Sequence, residues 1–292
     1  MSEKAVIGFV GIGVMGRSMA GHLLTAGYPV HVFNRTKEKA QPLLDKGAVW
    51  QASAGDVAAA VDVVITIVGF PQDVKAVYLG DGGIIERAKS GATIIDMTTS
   101  SPDLAVRIYE SAKAKGIAAI DAPVSGGDIG AKEARLSIMV GGDSDAFEKV
   151  KPIFEVMGKN IVLQGGAGAG QHTKMSNQVA IASSMMAICE AMAYAKKAGL
   201  DPETVLKSIG SGAAGSWSLT NLAPRILKGD YAPGFFVKHF LKDMKIAIES
   251  AENMQLELPG LALAKQLYDR LAASGGENDG TQALFKLYEE QL

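Results

Sequence analysis

Four clusters in this 292-residue chain combine residue types and spacing that could do chemistry. Gly11-Ile12-Gly13-Val14-Met15-Gly16 follows an apolar run, Ala5 to Val10, and opens a helical stretch. In a strand–turn–helix context Gly11 permits a tight turn, Gly13 lets backbone amides approach a pyrophosphate, and Gly16 lets helix and strand pack closely. The helix N-terminus then presents partial positive charge to the phosphates. Asp121-Ala122-Pro123-Val124-Ser125-Gly126-Gly127 follows another strand-like run, and Ser125, Gly126 and Gly127 offer a hydroxyl and unobstructed amides to a carboxylate or phosphate. An ordinary turn reads equally well there. Lys174, Asn177 and Gln178 stand at i, i+3 and i+4 and share one helix face just after the glycine-rich stretch 165–170. A lysine in that position belongs in an interdomain cleft, although a solvated surface lysine is the usual alternative. Lys242, beside Asp243, is a second candidate cation for the cleft; an amphipathic helix with ordinary surface charges is its plain alternative.

The residue pair after the second strand separates the two nicotinamide cofactors. An acid there would hydrogen-bond the adenine ribose of NAD. The chain instead reads Phe33-Asn34-Arg35-Thr36. Arg35 can pair with a ribose 2′-phosphate, with Asn34 and Thr36 as hydrogen-bond donors, so NADP is favoured and NAD is the alternative. The four histidines, His22, His31, His172 and His239, show no metal-ligand spacing, and no metal site is expected.

These clusters need elements to position them. Apolar runs of strand length recur at 5–10, 30–33, 63–68, 93–96 and 118–121, separated by stretches long enough for helical crossovers. Runs apolar on both faces predict a mainly parallel sheet covered by helices on each side. Two more strands, at 136–140 and 160–163, flank a helix over 143–157. Beyond the glycine stretch the pattern becomes helical only. A long Ala- and Met-rich helix spans 173–198 and closes at Gly199, and Asp201-Pro202-Glu203 starts the next. Pro224, Pro233 and Pro259 divide the remainder into several helices. The expected fold is α/β: a doubly wound Rossmann-type domain over 1–164, then an all-α domain over 165–292 for substrate binding and dimerisation.

Lys plus Arg number 29 against 31 Asp plus Glu, a net charge of −2, so neither nucleic acid nor another polyanion is an expected partner. One cysteine, Cys189 in an apolar helical stretch, cannot make an internal disulfide and fits a reducing cytoplasm. No uninterrupted apolar run reaches the roughly 18 residues of a membrane span. A cytoplasmic protein with no membrane partner is the expectation.

In order along the chain, Gly8 to Gly16, Asp121 to Gly127, Gly168 to Asn177 and Lys242-Asp243 resemble the β-hydroxyacid dehydrogenase family, relatives of 6-phosphogluconate dehydrogenase. That family includes 3-hydroxyisobutyrate dehydrogenases, tartronate semialdehyde reductases and glyoxylate/succinic semialdehyde reductases. The resemblance makes Lys174 the catalytic lysine. It assigns Ser125, Gly126, Gly127 and Asn177 to the substrate carboxylate, and Lys242 to the vicinity of nicotinamide and substrate. Gly11, Ile12, Gly13, Val14, Met15 and Gly16 become the cofactor loop, joined by Asn34, Arg35, Thr36, Val68 and Thr98. Gly69 departs from the family's usual proline.

The implied reaction is hydride transfer between a nicotinamide cofactor and a small 3-hydroxy acid or its semialdehyde, with Lys174 as general acid/base. 3-Hydroxyisobutyrate leads the candidate substrates; tartronate, glyoxylate and succinic semialdehyde reduction are the rivals. Imine reductases fit less well, because they typically lack the lysine. A non-catalytic cofactor-binding or interaction module is the reading from another class. Trp217, Leu219, Tyr231 and Phe235 are candidates for the substrate's tail or for core. The apolar helical half predicts burial against a second copy, and the resemblance implies a homodimer or homotetramer.

Overall fold

The computed structural model describes residues 4–289 and 291–292. The chain groups into two compact units, the first ending at Lys174 and the second beginning at Met175.

Among the described residues the first unit is built on one nine-stranded sheet. Its strands are β1 (Ile7–Val10), β2 (Val30–Phe33), β3 (Val49–Trp50), β4 (Val63–Thr66), β5 (Thr93–Asp96), β6 (Ala118–Asp121), β7 (Val124–Ser125), β8 (Leu136–Gly142) and β9 (Gly158–Gly165). They run in the order β3-β2-β1-β4-β5-β6-β8-β7, with β9 also on β8. From β3 to β6 every neighbour is parallel. β8 runs antiparallel to β6 and β7, and β9 lies parallel to β8. The reversal of strand order beside β1 is the switch point at which such folds hold dinucleotides.

Two cores sandwich the sheet. Ile7, Phe9, Ile65 and Ile95 point to one face, against helices Val14–Thr25 and Ser144–Met157. Val10, Val64 and Ile94 point to the other, against Ala54–Ala60, Pro71–Leu79 and Pro102–Lys113. The alternation is the period-2 pleat of strands buried on both sides.

Two strands escaped the sequence pattern. β3 is a two-residue edge strand whose Val49 is exposed, too short to carry a period. β7 sits inside the segment read as a turn, where Ser125 pairs with Ser137 of β8. The run 63–68 stops being strand at Thr66 because the Val68 amide donates to Thr98 Oγ1 at 2.9 Å instead of continuing a ladder.

The second unit is helical, and its one β feature among the described residues is an isolated bridge between Phe236 and Gly280. Helices Pro202–Ile209, Val237–Asn253 and Pro259–Ala273 pack with the rest of the helix Ala169–Lys197. Asp201 caps the first of these by accepting the amides of Glu203 and Thr204. The core joins Met185, Met192, Met244 and Leu261 to a T-shaped Phe240–Tyr268 pair 5.1 Å between centroids. Cys189 lies fully buried in it, and burial pushes its thiol well up, which leaves it inert.

Helix Ala169–Lys197 is long and apolar enough on average to cross a membrane, although no continuous apolar run in it is. Buried Gln171, Lys174 and Gln178 interrupt it, and Ala182, Met185, Cys189 and Met192 are buried in protein.

Candidate active site

The glycine loop leaves the C-terminal end of β1 at the switch point. Gly11 adopts φ +101°, and a Cβ there would lie 2.1 Å from the Ile67 carbonyl oxygen. A Cβ on Gly16 would lie 2.0 Å from the Gly11 carbonyl oxygen. These two glycines are therefore required by the protein's own packing. Gly13 is different: it occupies the N-cap of helix Val14–Thr25, provides no side-chain cap, and a Cβ would meet nothing within 4 Å. The first-turn amides thus face open space, as a pyrophosphate cradle requires, and a dinucleotide fits.

Asn34 braces this loop from the end of β2. Its Oδ1 accepts the Ile12 amide at 2.9 Å and its Nδ2 donates to the Thr36 carbonyl at 2.8 Å. One amide hydrogen remains for a ligand. Arg35 is largely exposed, with its guanidinium 3.4 Å from Asp73 Oδ1. Asp73 Oδ2 in turn accepts the Phe70 amide at 3.1 Å, so the loop after β4, which holds Gly69, is fastened by the acid that meets Arg35.

At the C-terminal ends of β4 and β5 lies a buried polar chain. Tyr78 donates to Thr66 Oγ1 at 2.8 Å, and Thr66 donates to Asp96 Oδ1 at 2.9 Å. The same oxygen accepts the Thr98 amide at 3.0 Å. Thr98 Oγ1, which accepts from Val68, is thereby held at the tip of β5. Burial pushes the Asp96 carboxyl up to about 6, against the pull of its hydrogen bonds from Thr98 and Thr66 and with added repulsion from Asp121.

Ser125 ends β7, and Gly126 and Gly127 follow with φ of +126° and +65°, a turn that favours glycine at both positions. Asp121, four residues before Ser125, spends its carboxylate on the start of the long helix. Oδ1 accepts the Gly168 amide and Oδ2 the Gln171 amide, both at 2.8 Å. Gln171 is fully buried: Nε2 donates to the Thr98 carbonyl at 2.7 Å and Oε1 accepts the Ser100 amide at 2.9 Å. Lys174 follows within one turn and is buried.

These bonds explain why the long helix starts at Ala169, four residues ahead of the start read from the sequence. Its cap comes from Asp121, 47 residues upstream of Gly168, so no local signal announces it. His172 is exposed on the first turn.

In the second unit Asn177 Nδ2 donates to Gln178 Oε1 at 2.7 Å, and Gln178 Nε2 donates to Asp243 Oδ2 at 2.5 Å. Lys242 Nζ stands 2.9 Å from Asp243 Oδ1. Asn177 and Lys242 therefore belong to one network, centred on an Asp243 that is almost wholly buried. Leu219, Tyr231 and Phe235 pack with the unit's core, whereas Trp217 is 54% exposed.

Sequence reasoning passed over Asp73, Asp96, Asp121 and Gln171 as working residues, and placed Gln178 on the Lys174 face without a partner in view. A signal was present for two of them: Thr93-Ile94-Ile95-Asp96 and Ala118-Ala119-Ile120-Asp121 both end an apolar strand on an acid. Such an acid at a carboxyl-terminal strand edge has no apolar role.

Comparison with known proteins agrees with this geometry. Residues 6–166 match the NAD-binding domain of 6-phosphogluconate dehydrogenase. Residues 168–288 match the domain described as NAD-binding of NADP-dependent 3-hydroxyisobutyrate dehydrogenase. An uncharacterized oxidoreductase of Bacillus subtilis is 62% identical over 98% of this chain and 99% of its own length. The 2-hydroxy-3-oxopropionate reductase of Escherichia coli is 40% identical over 97% of each chain. A 3-hydroxyisobutyrate dehydrogenase of Mycobacterium tuberculosis, solved with L-serine, superposes with a TM-score of 0.89 at 29% identity, covering 97% of this chain and 98% of that one. The reading as a non-catalytic module is set aside. With its switch-point cradle and these full-length relatives, the chain belongs to the β-hydroxyacid dehydrogenase family and is an NAD(P)-dependent oxidoreductase.

Proposed function

We propose that the protein is an NADP-preferring dehydrogenase of 3-hydroxyisobutyrate type, interconverting a small 3-hydroxy acid and its semialdehyde with Lys174 as general acid/base. The observation that carries this reading is the placement of Lys174. It is buried to 7% exposure, one turn beyond Gln171, whose side chain is bonded to the backbone of Thr98 and Ser100 after β5. The bound nicotinamide supplies or accepts the hydride. As an ammonium, Lys174 stabilises the charge that grows on the carbonyl oxygen and donates its proton there; in oxidation the neutral amine takes the hydroxyl proton. Ser125, Gly126 and Gly127 offer a hydroxyl and amides to the carboxylate, and Asn177 and Lys242 keep the substrate-facing roles the resemblance assigns them. Thr98, held through Asp96, would adjoin the nicotinamide ribose, as the resemblance implies.

NADP preference is supported by the lack of an acid after β2 and by Arg35 in its place. The description of the family matched over 168–288 as NADP-dependent points the same way. A tartronate semialdehyde reductase is the second reading, favoured by the identity to the Escherichia coli reductase of 2-hydroxy-3-oxopropionate.

The test is the initial rate of NADPH and NADH oxidation against methylmalonate, tartronate and succinic semialdehydes and glyoxylate, with Lys174→Ala as control. Fastest turnover of methylmalonate semialdehyde with NADPH, lost in the variant, supports the first reading. A preference for tartronate semialdehyde moves the protein to the second. A preference for NADH removes the 2′-phosphate role of Arg35.

A further inference from the structure

We propose that Asp121 and Gln171 are positioning residues of the reaction, locking the helix turn that carries Lys174 onto the ends of β5 and β6. This inference rests on the acid/base reading of Lys174. Helix starts are ordinarily capped by the residue just before them, at the surface. Here the cap is a carboxylate from the sheet. Both oxygens of Asp121, which is 4% exposed, are taken by amides of the new helix, at 2.8 Å each. An anion at a helix N-terminus is favourable, and charge-assisted bonds in a buried site are short and directional.

Glycines make the approach close enough. A Cβ on Gly170 would fall 2.4 Å from the Met139 carbonyl oxygen and 2.6 Å from that of Asp121. A Cβ on Gly141 would fall 2.5 Å from Asp121 Oδ1 and 2.6 Å from the Gly170 amide nitrogen. The helix start is thus seated against backbone that cannot yield. Gln171 then fixes its rotation, since both ends of its amide are bonded to the backbone at Thr98 and Ser100.

Lys174 is only three residues further, so these four bonds fix the backbone turn from which its side chain departs relative to Thr98. A displacement of about 1 Å at a reacting group can cost about 100-fold in rate. Neither Asp121 nor Gln171 needs to touch cofactor or substrate to matter for turnover.

The experiment uses the full chain carrying Gln171→Met, which keeps side-chain length and loses both bonds, and Asp121→Asn, with Lys174→Ala in parallel. Turnover is read with NADPH and the faster of methylmalonate and tartronate semialdehydes. NADPH affinity is read by fluorescence titration, amide hydrogen exchange over 168–174 by mass spectrometry, and Lys174 reactivity by trace acetylation. Expected for Gln171→Met are a kcat at least about 20-fold lower, KM within about threefold, NADPH Kd within about twofold, and faster exchange and acetylation. Asp121→Asn should act in the same direction; if it does not fold, Gln171→Met decides alone.

Unchanged exchange over 168–174 would show no lock and overturn the proposal. So would faster exchange with kcat within twofold of the parent, or a kcat loss matched by tenfold weaker NADPH binding, which signals loosening of the whole cradle. Full activity of Lys174→Ala would instead bring down the acid/base reading, and the proposal with it, whatever the exchange data report about the lock.

Discussion

Asp96 and Asp121 are register partners on the adjacent parallel strands β5 and β6, each the last residue of its strand and each buried. Two buried carboxyls side by side at the C-terminal ends of interior strands must be satisfied by the protein. Asp96 takes its donors from Thr66 and Thr98, and Asp121 takes amides from the helix start. Burial raises both in pKa, Asp96 to about 6.

The first prediction concerns pH and stability. A carboxyl whose folded pKa lies above its unfolded 3.8 binds more protons when folded, so its contribution falls as pH rises from about 4 to about 6 and is flat beyond. The span corresponds to about 3 kcal/mol. Asp96→Asn keeps an oxygen for Thr98 and Thr66 and removes the titration. Urea unfolding of both proteins from pH 4 to 7.5 should show the variant gaining stability relative to the parent as pH rises. A constant difference across that window would refute the assignment.

Arg35 should set cofactor choice. Loss of a charge-assisted contact to a 2′-phosphate costs about 1.5–3 kcal/mol. Arg35→Ala is therefore expected to raise KM for NADPH by about 10- to 100-fold and leave NADH within about twofold, as measured by initial rates. Asp73 holds Phe70 as well as Arg35, so it is the poorer position for this test.

Gly16→Ala would improve helix propensity by about 1 kcal/mol in isolation. Here its Cβ would meet the Gly11 carbonyl oxygen at 2.0 Å, which is backbone on both sides. The expected result is a net loss of more than about 2 kcal/mol in unfolding free energy and at least about tenfold weaker NADPH binding. Normal affinity in a stable Gly16→Ala protein would contradict the packing role.

Gln178→Leu would remove the donor to Asp243 Oδ2 inside the second unit and release Asn177 Nδ2 from its acceptor. Leaving a buried carboxylate oxygen unbonded costs about 1–3 kcal/mol. Denaturant titration should register that loss; a neutral result would mean that water or Lys242 replaces the amide.

The sheet and the glycine loop were legible because each is written locally: strand runs apolar on both faces, and a glycine pattern in the right context. Lys174, Asn177 and Lys242 stood out in the sequence only as polar residues on a helix face or through family resemblance. What stayed hidden was everything joined over distance. Asp121 reaches Gly168 across 47 positions, Gln171 reaches Ser100 across 71, and Gln178 reaches Asp243 across 65. Hydrogen bonds of that range leave no periodic trace, and Ser125 gave no hint of its strand because two residues cannot show a period.

The seating of Gly170 against Met139 and Asp121 bears on how this chain can be recombined with its relatives. Gly165 to Gly170 has the composition of a flexible tether, the natural place to splice one parent's nucleotide-binding half to another's helical half. A crossover there would draw the Asp121 carboxylate from one ancestor and its two amide partners from the other. It would also divide the Gly141–Gly170 approach, where no Cβ fits, between two lineages. Junctions placed after Lys174 keep those partners together, so the inheritable block ends inside a helix and not at the glycines.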